Sequence, residues 1–88
     1  MNQRCKNTVV QALVARACSA IPQGGGPIVV GFTNLLGPFP LHLPTARKLS
    51  VQICEDLAQE AEARLAKTDL SANITFRQEG RMFKITPT

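Results

Sequence analysis

With 88 residues, 44% of them hydrophobic and 18% charged, the chain reads as one small α+β domain (residues 1–88) whose thin core buries about 60–65% of the unfolded surface. It has neither the composition of a disordered tail nor the ~18 uninterrupted apolar residues needed to span a bilayer. The net charge of +4 is unevenly placed: residues 1–54 hold no acid, five acids lie between Glu55 and Asp69, and residues 72–88 turn positive again through Arg77, Arg81 and Lys84 against Glu79.

The first element spans residues 8–21. Asn7 or Thr8 supplies an N-cap oxygen. Val9, Val10, Leu13, Ala17, Cys18 and Ile21 recur at three- and four-residue spacing, with Gln11, Ala12, Ala15, Arg16 and Ser19 opposite. That spacing predicts an amphipathic helix, with a strand competing over residues 8–14 because of the valines. Arg4 and Lys6 before the apolar run, and Cys18-Ser19-Ala20 within its end, imitate a secretory signal. Gln11 and Arg16 interrupt the run, however, and its removal would leave too little chain for a core, so the segment is expected to stay in the fold. Pro22 and Gly24-Gly25-Gly26-Pro27 then form a loop. The glycines lack the Gly-Lys-Ser/Thr ending of a phosphate loop and precede a strand, which makes them a hinge.

A hairpin is predicted next, from Ile28–Thr33 and Phe39–Leu43 around the turn Asn34-Leu35-Leu36-Gly37-Pro38. Phe39, Leu41 and Leu43 would share its buried face, with Pro40 marking an edge strand. A long helix follows from Pro44 or Thr45 to Lys67, carried by Ala46, Leu49, Ile53, Leu57, Ala61 and Leu65 and supported by a Glu60–Arg64 pair at i,i+4. Alanines make its second half slim. The last element is a hairpin of Asn73–Gln78 and Arg81–Thr86 around Glu79-Gly80. Pairing Gln78 with Arg81 puts Phe76 opposite Phe83 and Ile74 opposite Ile85 on one face, with Thr75, Arg77, Met82 and Lys84 on the other. The order helix, hairpin, helix, hairpin (αββαββ) predicts a four-stranded antiparallel sheet covered on one face by two helices.

No catalytic constellation is legible. His42, the only histidine, has no sequence-identifiable Ser, Cys or Asp partner and is expected to face solvent from a strand. Cys54 lies mid-helix ahead of Glu55 and Asp56, which favours a packed, unreactive thiol. Three cysteines without C-x-x-C spacing point to reduced structural thiols in a cytoplasmic protein rather than to a disulfide framework or a zinc site. Glu55, Asp56, Glu60 and Glu62 lack the Glu-x-x-His partner of a di-metal site and form a solvated acidic face. No metal and no cofactor are expected.

The profile fits a non-enzymatic protein-binding module: a small stoichiometric binder, adaptor or inhibitor. Compact accessory proteins of phages and mobile elements, inhibitors of host defence among them, have this size and style. The residues expected to meet the partner are Arg77, Arg81 and Lys84 on the basic hairpin and Glu55, Asp56 and Glu60 on the acidic helix. A thin core with no Trp, no Tyr and four Phe is compatible with a homodimer. The alternative expectation is a small dimeric nucleic-acid-binding regulator using the basic C-terminal hairpin on phosphates, as two-stranded groove readers do.

Overall fold

The computed structural model describes residues 3–88. The first segment is helical throughout, without a strand: α1 spans Gln3–Ala20. It begins earlier than its valines indicate, and Cys5 adds a buried position one turn ahead of Val9 and Leu13. Thr8 is therefore not a cap. Its hydroxyl lies inside the helix and donates to the Arg4 carbonyl at 2.9 Å, the back-bonding open to a hydroxyl within a helix. Pro22 sits in the short 3-10 turn Ile21–Gln23, and Gly24 closes it with φ 71°, where a glycine avoids Cβ strain.

The sheet has three strands, not the four expected. β1 (Ile28–Gly31), β2 (Ala72–Arg77) and β3 (Met82–Pro87) are arranged antiparallel in the order β1-β3-β2. The segment predicted to be a second strand beside β1 is helical instead. Gly31 leads into α2 (Phe32–Leu35), and after Pro38 the chain makes the 3-10 turn Pro40–His42 and then α3 (Leu43–Arg47). Prolines explain the failure. Pro38, Pro40 and Pro44 remove three ladder donors from seven residues, while a proline suits the first turn of a helix, where Pro40 and Pro44 are found. A positive signal was also present: Phe32, Leu35 and Leu36 stand at i, i+3 and i+4, and all three are buried, which is helical rather than turn patterning. Leu41, assigned to the buried face of that strand, is 90% exposed, and Phe39 is 43% exposed.

The long helix is also interrupted. α3 ends at Arg47, and α4 runs over Val51–Leu65. Ser50 makes the break: it is extended (φ −69°, ψ 162°), and its hydroxyl accepts the Ile53 N–H at 3.2 Å, a side-chain N-cap. Restarting the helix there changes its phase, so Cys54, Leu57, Ala58, Ala61 and Leu65 are buried while Ile53 is only partly covered. α1 packs on α4, and α4 packs on β2. Buried Ala17, Ala58 and Ala61 keep these layers close.

The C-terminal register is as the alternation predicted, with Ile74 opposite Ile85 and Phe76 opposite Phe83. β3, in the middle of the sheet, also pairs with β1, placing Val30 opposite Phe83 and Ile28 opposite Ile85. Phe83 is fully buried and meets Phe32 edge-on at 5.5 Å and Phe76 at 5.0 Å, contacts that add to simple area burial. Only the turn differs. Strand pairing stops at Arg77 and Met82, and positive φ falls on Gly80 (76°) and Arg81 (49°) rather than on Glu79 and Gly80.

Candidate partner-binding face

The two faces of the sheet differ in charge and cover. Inward residues alternate as buried through β2, and Phe83 and Ile85 are buried in β3, on the side of the helices. The outward rows are Val29–Lys84–Thr75 and Gly31–Met82–Arg77 across the three strands. These rows hold two cations and no acid. Val29 and Met82 remain 43% and 39% exposed between them. Arginine and methionine are among the residues enriched at protein interfaces.

Arg77 and Lys84 occupy this face as the sequence indicated. Arg81 does not. It stands in the β2–β3 turn with a left-handed backbone (φ 49°) and turns inward. One guanidinium nitrogen donates to the Leu49 carbonyl at 2.7 Å. The guanidinium carbon is 5.7 Å from the Phe32 ring centre and 5.6 Å from that of Phe76, within cation–π range. The Leu49 carbonyl is available because Ser50 ends the helical ladder there. Arg81 thus ties the β2–β3 turn to the α3–α4 junction. Arg81 stands outside the strand alternation, so only the folded turn shows that its side chain is internal.

The acidic residues lie on the helical layer, opposite the basic sheet face. Asp56 accepts from the Gln52 amide at 3.1 Å, and Glu60 pairs with Arg64 at 3.7 Å. Glu55 is exposed beside the groove between α4 and β2. Glu62 is used structurally: its carboxylate accepts the Ile74 N–H at 2.8 Å, which blunts the outer edge of β2. The six residues expected to form a partner surface therefore divide into a sheet pair (Arg77, Lys84), an internal brace (Arg81) and a helix group (Glu55, Asp56, Glu60) on the other side.

Cys54 stands in the first turn of α4, not in mid-helix as expected. Burial pushes its thiol up from the ordinary range; the charge and hydrogen bond of Arg81 oppose this, and Glu55 adds to it. Cys5 is raised by burial as well, and its thiol donates to the His42 backbone carbonyl at 3.7 Å. His42 lies in the 3-10 turn, partly covered, rather than on a strand. Among the described residues no three His, Cys, Asp or Glu side chains converge as metal ligands, and no helix is long and apolar enough to cross a membrane. Compared with protein-family models, curated proteins and solved structures, the chain finds no significant match.

Proposed function

We propose that the protein is a non-enzymatic binding module, a stoichiometric adaptor or inhibitor, that applies its open sheet face to an acidic protein surface. The observation that carries this is the helix-free side of the sheet, where Arg77 and Lys84 stand without an acid among exposed Val29 and Met82. Val29 and Met82 give that face apolar contact area beside its two cations, and its charge selects an acidic occupant. Three free cysteines, two of them buried, fit a reducing compartment such as the cytoplasm.

A protein occupant is favoured over nucleic acid by the aromatics. Phe32, Phe76 and Phe83 all point into the core, so the open face offers no ring on which single-stranded bases could stack, and its two cations are few for a surface that neutralises duplex phosphates. The test is paired capture from nuclease-treated host extract. The Arg77→Glu/Lys84→Glu protein is expected to lose the proteins that the wild type retains, while Glu55→Lys/Asp56→Lys keeps them. Unchanged capture by the sheet variant refutes the assignment. Steeply salt-dependent binding of duplex nucleic acid, abolished by the same sheet variant, would replace it with the nucleic-acid alternative.

A further inference from the structure

We propose that the cleft between α2 and the β2–β3 turn is a carboxylate-binding site that takes a Glu or Asp side chain from an extended acidic segment crossing the open sheet face; this rests on the protein-binding assignment above. The cleft has a volume of about 470 Å³ and is lined by Phe32, Thr33, Asn34, Arg47, Arg81 and Met82, with backbone from two glycines. Its lining includes two arginines from distant parts of the chain and no carboxylate. Neither arginine is ion-paired among the described residues, where the ion pair is Glu60–Arg64.

Both arginines are held in place before any ligand arrives. Arg47 donates to the Thr33 hydroxyl at 2.8 Å. Arg81 is fixed by the Leu49 carbonyl and by the rings of Phe32 and Phe76. A guanidinium carries five N–H donors, so each retains donors beyond these contacts. A planar fork that is already ordered loses little entropy on binding and matches the two oxygens of a carboxylate. The apolar wall of Phe32 and half-exposed Met82 suits the methylene stem of an acidic side chain better than a fully hydrated phosphate.

Continuity with the sheet indicates an extended occupant. Gly31 and Met82 form both the rim of the cleft and the outer row that ends at Arg77. Lys84 lies two residues farther along β3, about 7 Å away at a strand's rise. A segment laid along β3 shows alternate side chains at that same interval. Acids at i and i+2 would therefore reach the cleft and Lys84 together.

Isotope-labelled protein titrated with terminally blocked hexaglutamate at low salt tests this, read by NMR with the arginine Nε–H signals included. The Arg47 and Arg81 side-chain signals and the Thr33, Asn34 and Gly80 amides are expected to shift along with those of Arg77 and Lys84. Arg47→Gln, a change at an exposed position that should leave the far-UV ellipticity unaltered, is expected to weaken binding about tenfold. Lys67→Gln, the same charge change outside the cleft, is expected to weaken it less than about twofold. Shifts at Arg77 and Lys84 with a silent cleft overturn the carboxylate site and leave the open-face assignment standing. Silence everywhere overturns both. Equal weakening by Lys67→Gln reduces the effect to net charge, and tighter cleft binding by inorganic phosphate than by hexaglutamate makes it a phosphate site; either result overturns the proposal.

Discussion

Arg81 offers the sharpest test of how the layers are joined. Arg81→Ala removes a charged hydrogen bond to the Leu49 carbonyl, a kind of bond that contributes about 1.5–3 kcal/mol. It also removes stacking over two rings, each about 0.5–1 kcal/mol at a partly exposed site. These contributions share one group and do not add fully, so the expected loss is about 2–3 kcal/mol. A chain of 88 residues has about 4–13 kcal/mol in all, and a loss of that size moves the urea midpoint visibly. With no Trp or Tyr to report fluorescence, far-UV ellipticity is the appropriate signal. Arg81→Lys keeps the charge without the planar fork and should fall in between. Arg81→Gly should be more stable than Arg81→Ala by roughly 1 kcal/mol, because the backbone there has φ 49°, a conformation that strains residues with a Cβ. If Arg81→Ala unfolds within about 0.5 kcal/mol of the wild type, the range of ordinary surface changes, Arg81 is a solvated side chain and the brace does not exist.

Three further outcomes follow from the same structure. Leu41→Asp should change stability by less than about 0.5 kcal/mol, because Leu41 is 90% exposed; a loss of several kcal/mol by urea titration would restore the buried fourth strand. Ser50→Ala should cost about 1 kcal/mol through loss of the cap on Ile53, and Ser50→Thr should recover most of it. The Cys5 and Cys54 thiols are raised by burial, so the folded state holds protons that the unfolded chain gives up first. Their contribution is fully present below the free-thiol pKa of about 8.5 and is lost as pH rises through the higher folded value. The urea midpoint should therefore fall on the alkaline side, and it should fall less steeply in Cys5→Ala/Cys54→Ala. An identical alkaline slope in that variant contradicts the assignment, as does alkylation of native Cys54 ahead of the partly buried Cys18.

Local patterning alone determined the amphipathic first helix, the buried stripe through Leu57, Ala61 and Leu65, and the C-terminal register that stacks Phe76 on Phe83. In each, a repeat of 3.6 or 2 residues leaves one apolar side, and a one-residue shift would bury polar groups. The basic outward pair Arg77 and Lys84 was legible for the same reason. Tertiary structure decided what happens where local signals compete. Residues 28–43 carry β-branched and apolar side chains that read as a hairpin, but prolines deny the ladder its donors, so β1 pairs with β3, which follows it by some fifty residues. Ser50 could continue a helix or cap a new one, and the cap frees the carbonyl that Arg81 reaches. The Arg47–Arg81 cleft could not be read from the chain at all, since its two cations are 34 positions apart and meet only when the hairpin tip folds over the α3–α4 junction. Periodicity records which side of an element is apolar, whereas the choice of neighbour depends on hydrogen-bonding groups that distant residues supply.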